Sequence, residues 1–254
     1  KRDERQIQNA ERLIHNNGLF KDYWQYSSKL PNYYIYIGKY NNSVSSKRYD
    51  CTLKEFNKKH NAEQTKKYFI LLFTSIIEAL MVLNEIKIAH CDINPNNIMV
   101  YIGQDKIEFH LDNLRTAYPL LTRIIHPSQG SGLYIQTYTA PEAHSKIHGK
   151  ESYISQRYDM WSIALTMLYI IGDDQLTKDV IGIQKQLLAQ NPDYQNLQNN
   201  LYTIVDRYTQ RLEYIDNIYP MADILKSMLS IDQTQRPTDI YELYASVIIT
   251  HIYN

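Results

Sequence analysis

The sequence predicts an α+β fold: a helix and a strand first, one small β-hairpin at the junction, and a mostly helical second half. Three observations carry this. A broad apolar stripe runs at helical spacing through Ala62 to Glu85, with Phe69, Leu72, Phe73, Ile76, Ile77, Leu80 and Leu83 on one face. Ile98 to Tyr101 and the alternating Lys106 to Leu111 flank a Gly103-Gln104-Asp105 turn and read as a β-hairpin. From about Ser152 onward, strand-like alternation gives way to apolar residues at helical spacing.

The elements follow in order. Arg2 to His15 reads as a helix, with Ile7, Ala10, Leu13 and Ile14 on one face and Asn16-Asn17-Gly18 as its stop. Tyr33 to Tyr40 alternates aromatic and aliphatic residues as a strand does, and Asn41 to Ser46 is a polar loop. Thr52 to Lys59 is a short helix with Thr52 as its N-cap. The stretch Met160 to Ile171 is apolar enough to be a buried helix. Gln184 to Asn200, rich in Gln and Asn, reads as a surface insertion or a loop-flanked helix. Met221 to Leu229 and Thr238 to His251 read as amphipathic helices.

Composition narrows the function classes. The 254 residues suit one large domain or two small lobes. Lys+Arg and Asp+Glu stand at 27 each, so bulk charge gives no attraction to nucleic acid or membrane, and neither is expected as a partner. Two cysteines, Cys51 and Cys91, make no disulfide framework and point to a reducing, cytoplasmic setting. The most apolar segment, Tyr68 to Leu83, is interrupted by Thr74, Ser75 and Glu78 and is short for a membrane span.

The chemistry concentrates between the long helix and the hairpin, in His90-Cys91-Asp92-Ile93-Asn94-Pro95-Asn96-Asn97. An acid, a turn and a carboxamide precede a strand there. Asp92 can orient or deprotonate a hydroxyl nucleophile. The hairpin should fold Asp112 back beside Asn97. Those two oxygen donors suit a hard cation such as Mg²⁺, which keeps waters and takes phosphate oxygens. Each later landmark has a plain reading alone: Pro141-Glu142 as a helix start, Trp161 as a core aromatic, Arg236 as a surface or capping residue. Their order gives them weight: Ala140-Pro141-Glu142, then Asp159-Met160-Trp161-Ser162, then Gln235-Arg236-Pro237.

On these residues, over roughly Tyr33 to Tyr253, the chain resembles the eukaryotic-type protein kinase family. The resemblance implies a protein-kinase-like fold, with residues 1–40 a partial N-lobe and 41–254 a mostly helical C-lobe carrying the small hairpin. It implies ATP and Mg²⁺ as cofactors and a protein substrate as partner. Asp92, Asn97 and Asp112 would be catalytic, with Asn97 and Asp112 holding metal. Tyr36, Ile37, Gly38, Lys39 and Tyr40 would form the adenine hinge, and Met99 would also contact the nucleotide. His90, Asp159, Glu142 and Arg236 would be structural, the last two as a buried pair. Glu4 would be the helix glutamate, with Glu11 as its alternative. The segment between Asn113 and Thr139 would form the activation segment and peptide platform.

The pattern departs from the family in five places. No Gly-rich loop or strand lysine precedes Glu4; the chain begins at Lys1 rather than Met, so the expectation is that these lie upstream, with a reduced N-lobe as the alternative. Cys91 replaces an arginine that receives an activation-loop phosphate, and a packing role is expected for it. Asn94 replaces a lysine, Asn113-Leu114 replaces Phe-Gly, and Ala164 replaces a glycine. Leu114 lacks glycine's conformational freedom, so this loop should pack differently. The leading expectation is a Ser/Thr kinase. The alternatives are a pseudokinase acting as a binding or allosteric module and a small-molecule phosphotransferase of the aminoglycoside- or choline-kinase type.

Overall fold

The computed structural model describes residues 49–60, 68–104, 106–124, 137–144, 151–172, 174–187, 189, 191–210 and 219–252. The helix read at Arg2 to His15, the strand at Tyr33 to Tyr40, and with them Glu4, Glu11 and Tyr36 to Tyr40, lie outside the described residues.

The described chain opens with β1 (Cys51–Thr52) and α1 (Leu53–Lys59). Thr52 starts α1 with a reciprocal capping box. Its Oγ1 accepts from the Glu55 N–H at 3.2 Å, and the Glu55 carboxylate accepts from the Thr52 N–H at 2.9 Å. Helix α2 (Phe69–Glu85) follows; every residue of the apolar stripe is buried in it, and so are Thr74, Ala79 and Val82. The sequence reading begins this helix at Ala62; residues 62–67 lie outside the described residues, and Tyr68 is the N-cap.

Next come β2 (Ile88–Ala89), β3 (Ile98–Ile102), β4 (Ile107–Leu111) and β5 (Tyr118–Pro119). Strands β1, β3 and β4 form one antiparallel sheet in that order, and β2 pairs with β5. In the β3–β4 hairpin Ile98 faces Leu111, Met99 faces His110 and Val100 faces Phe109. Strand alternation puts Val100 and Phe109 on the buried face, where Phe109 meets Phe56 of α1 edge to face at 6.1 Å. Met99, partly exposed, is on the other face with His110.

Beyond β5 the chain runs against the segment ahead of the next helix. Leu121 N–H donates to Ile154 O at 2.7 Å, Ile154 N–H to Thr122 O at 2.8 Å, and Ile124 N–H to Ser152 O at 2.9 Å. Helix α3 (Gln156–Ile171) is buried from Tyr158 through Leu168 and again at Ile170 and Ile171. A helix apolar on all sides has no solvent face and belongs at the centre. It packs against α2 and β2, and against the three helices that follow it. Gly172 ends it: a Cβ there would lie 2.9 Å from Leu168 O, so close chain approach requires glycine.

Those following helices are α4 (Asp174–Leu187), α5 (Tyr194–Thr209) and α6 (Tyr219–Met228); α7 (Ile240–Ile252) closes the chain against α2 and α6. The reading of Gln184 to Asn200 as a surface insertion is corrected here. Gln184 and Leu187 belong to α4 and are buried, and Leu197 is buried in α5. The high Gln and Asn content masked an apolar stripe at Leu176, Val180, Ile183 and Leu187, spaced for one helical face.

Candidate functional site

The loop between β2 and β3 is held from below by α3. Asp159, buried in α3, accepts from two consecutive backbone donors: the His90 N–H at 2.7 Å and the Cys91 N–H at 2.8 Å. Burial pushes its carboxyl up to about 7, against the pull of those two donors. Presenting two N–H groups to one carboxylate bends the loop sharply, and Cys91 takes a positive φ of 62°. The Cys91 thiol is pushed far up by burial and by the Asp159 carboxylate, which makes it a packing group and not a nucleophile.

His90 is fully buried and ties the loop to the hairpin. Its Nδ1 lies 3.3 Å from the Asp92 N–H, and its Nε2 lies 2.9 Å from Asp112 O. Since Nδ1 faces a donor and Nε2 an acceptor, the tautomer is neutral with hydrogen on Nε2. Burial holds its pKa down to about 4.

Asp92, Asn97 and Asp112 are brought together in one hydrogen-bonded group. Asn97 Nδ2 donates to Asp92 Oδ2 at 2.7 Å and to Asp92 O at 2.8 Å. The Asp112 N–H donates to Asn97 O at 2.9 Å, which ties the end of β4 to the start of β3. Asn94 Nδ2 donates to Asp92 Oδ1 at 2.8 Å, so carboxamides flank both carboxylate oxygens of Asp92. Asp112 is exposed. The oxygen-donor set of Asn97 and Asp112 fits a hard cation such as Mg²⁺.

The departure at Asn113-Leu114 is accommodated in a local turn. Asn113 takes the left-handed conformation, φ 72° and ψ 64°, which asparagine tolerates, and Leu114 begins a short 3₁₀ turn. Asn113 Nδ2 donates to Asn97 Oδ1 at 3.0 Å. Sequence reasoning missed this contact, because it depends on the turn and not on spacing.

Two buried sets of contacts lie farther along the chain. Arg236 makes a bidentate pair with Glu142, Nη1 to Oε1 at 2.7 Å and Nη2 to Oε2 at 2.8 Å. Its guanidinium lies 5.2 Å from the Trp161 ring centroid. Just before Glu142, three carbonyls are held in succession. Ser162 Oγ donates to Tyr138 O at 2.7 Å, and Gln184 Nε2 donates to Thr139 O at 2.9 Å and to Thr137 O at 3.3 Å. Gln184 was not singled out from sequence, although its position four residues after Val180 puts it on the apolar face of α4.

A loop carrying a held carboxylate, with two oxygen-donor side chains beside it, is an arrangement suited to phosphoryl transfer on an α+β scaffold. The chain belongs to the protein kinase domain family, whose sequence pattern matches residues 32–253. No curated protein matches the chain. The family match excludes Glu4 and includes Tyr36 to Tyr40 and every described site residue. Among the described residues no helix is long and apolar enough to cross a membrane.

Proposed function

We propose that the chain is the catalytic part of a protein serine/threonine kinase, transferring the ATP γ-phosphoryl group to a protein hydroxyl. The observation that carries the reading is the Asp92 carboxylate, flanked by Asn94 and Asn97, with Asp112 one backbone hydrogen bond from Asn97. Asp92 orients the acceptor hydroxyl and takes its proton as the oxygen attacks the γ-phosphorus. Asn97 and Asp112 would hold Mg²⁺. The ion they would hold would supply positive charge against the charge that develops on the transferring phosphoryl group. Met99 is assigned to the adenine contact, Tyr36 to Tyr40 to the hinge and Glu4 to the helix glutamate, all by resemblance. Residues 1–40 are assigned to the N-lobe and 41–254 to the C-lobe on the same ground. The gripped carbonyls of Thr137 to Thr139 suit a fixed platform for a peptide, which favours a protein acceptor over a small molecule.

A second reading, a pseudokinase binding module, is favoured by the donor that Asn113 places on Asn97 Oδ1. The test is phosphate transfer from ATP to peptide libraries with Ser, Thr or Tyr acceptors, and to aminoglycoside and choline acceptors. Transfer to Ser/Thr peptides is expected, falling by about 10²–10⁴ in Asp92→Asn with the fold intact. Full activity in that variant would refute the assignment of Asp92. Transfer to small molecules alone would refute the protein acceptor, and ATP binding without transfer would establish the module.

A further inference from the structure

We infer that Asn113 sets the divalent-cation requirement of this site, by placing its own amide donor on the oxygen of Asn97 assigned to the cation. The inference rests on the phosphoryl-transfer reading above and deepens it.

The orientation of Asn97 is fixed chemically. Its Nδ2 faces Asp92 Oδ2 at 2.7 Å and Asp92 O at 2.8 Å, and both are acceptors only. The amide oxygen must therefore be Oδ1, on the far side, where Asn113 Nδ2 reaches it at 3.0 Å. Turning the Asn113 amide over would set oxygen against oxygen, so the donor is fixed as well. A carbonyl oxygen has two lone pairs, and this bond takes one of them. It also leaves positively polarised amide hydrogens beside the remaining lone pair, where they repel an incoming cation. Binding a cation at Oδ1 therefore weakens the Asn113 bond or proceeds against it.

Asn113 has little to hold it in place if it lets go. Its Oδ1 is buried without a hydrogen-bond partner among the described residues. A phenylalanine, which the family pattern has here, carries no such donor. The contact is thus a property of this chain, made by asparagine in a left-handed turn just after Asp112.

The left-handed backbone also dictates the variants. Glycine and aspartate both tolerate a φ of 72°. Asn113→Gly removes the donor without strain, and Asn113→Asp keeps the shape but replaces the donor with a carboxylate. The experiment follows the thermal midpoint of the full chain at fixed ATP while Mg²⁺ is titrated, with ATP-free controls for folding. The half-saturating Mg²⁺ concentration should fall about fivefold in Asn113→Gly, the factor that one net neutral hydrogen bond represents, and further in Asn113→Asp.

An unchanged or higher Mg²⁺ requirement in Asn113→Gly overturns the inference, while a wild-type Mg²⁺-dependent shift lost in Asp112→Ala would leave the nucleotide reading standing. A response in the variants but not in the wild type would support the inference and make the wild-type chain a blocked site. Silence in all three would overturn both.

Discussion

Arg236→Met tests the buried pair with Glu142. The side chains of Arg236 and Glu142 are 0% and 1% exposed. Besides its two bonds to Glu142, the guanidinium donates from Nε to Ser230 O at 2.8 Å and from Nη1 to Arg157 O at 3.0 Å. Methionine keeps most of the stem against Trp161 but removes every donor. Glu142 is then a buried carboxylate without its cation, and the two carbonyls lose a partner. Breaking one side of a buried pair costs about 3–5 kcal/mol. In a chain of this size that is a fall of roughly 6–20 °C in the melting midpoint. Urea unfolding followed by circular dichroism measures it directly. The double variant Arg236→Met with Glu142→Leu leaves no charge behind, so it should recover most of the loss. A single-variant cost under about 1 kcal/mol, or no recovery in the double variant, would refute the reasoning, since the stranded charge would then not be the cause.

Three further outcomes are expected. Between about 4 and 7 the unfolded Asp159 has released a proton that the folded carboxyl keeps, so its contribution to stability falls as pH rises; His90, held down to about 4 from 6.5, contributes the opposite slope between those values. In Asp159→Asn the His90 slope is unopposed, so from pH 4.5 to 6 the stability of the variant relative to wild type should climb by about 1.4 kcal/mol per pH unit; parallel pH–stability curves would contradict this. Gln184→Leu should raise the KM for a peptide acceptor about fivefold, one hydrogen bond's worth, with the KM for ATP unchanged; equal rises in both would mean a general structural role. Thr52→Ala should cost about 1 kcal/mol through loss of the cap of α1, read as a drop of about 2–4 °C in the melting midpoint.

The departures at Asn94 and Asn113 change the character of the loop more than its shape. A lysine at position 94 would bring a cation to the transferring phosphoryl, whereas Asn94 brings a neutral donor to Asp92. Cys91 stands where the family pattern has an arginine. Leu121 to Ile124 are held by backbone pairing with Ser152 to Ile154.

Local physics made much of this protein readable from its residues. Thr52 and Glu55 encode a capping box within four positions, the stripe from Phe69 to Leu83 encodes a buried helix face, and Gly103 with its flanking runs encodes the hairpin. Each needs only neighbours along the chain, and so does the order of motifs that marks the family. Contacts between distant segments were decided by the tertiary structure. Asp159 meets the His90 and Cys91 amides across 69 and 68 positions, and Gln184 crosses 45 to reach Thr139 O. The Asn113 side chain reaches Asn97 only because the hairpin closes and one residue turns left-handed. Spacing can say that such residues share a fold, but the direction of a donor is set by packing, and here packing aims the Asn113 amide at Asn97 Oδ1.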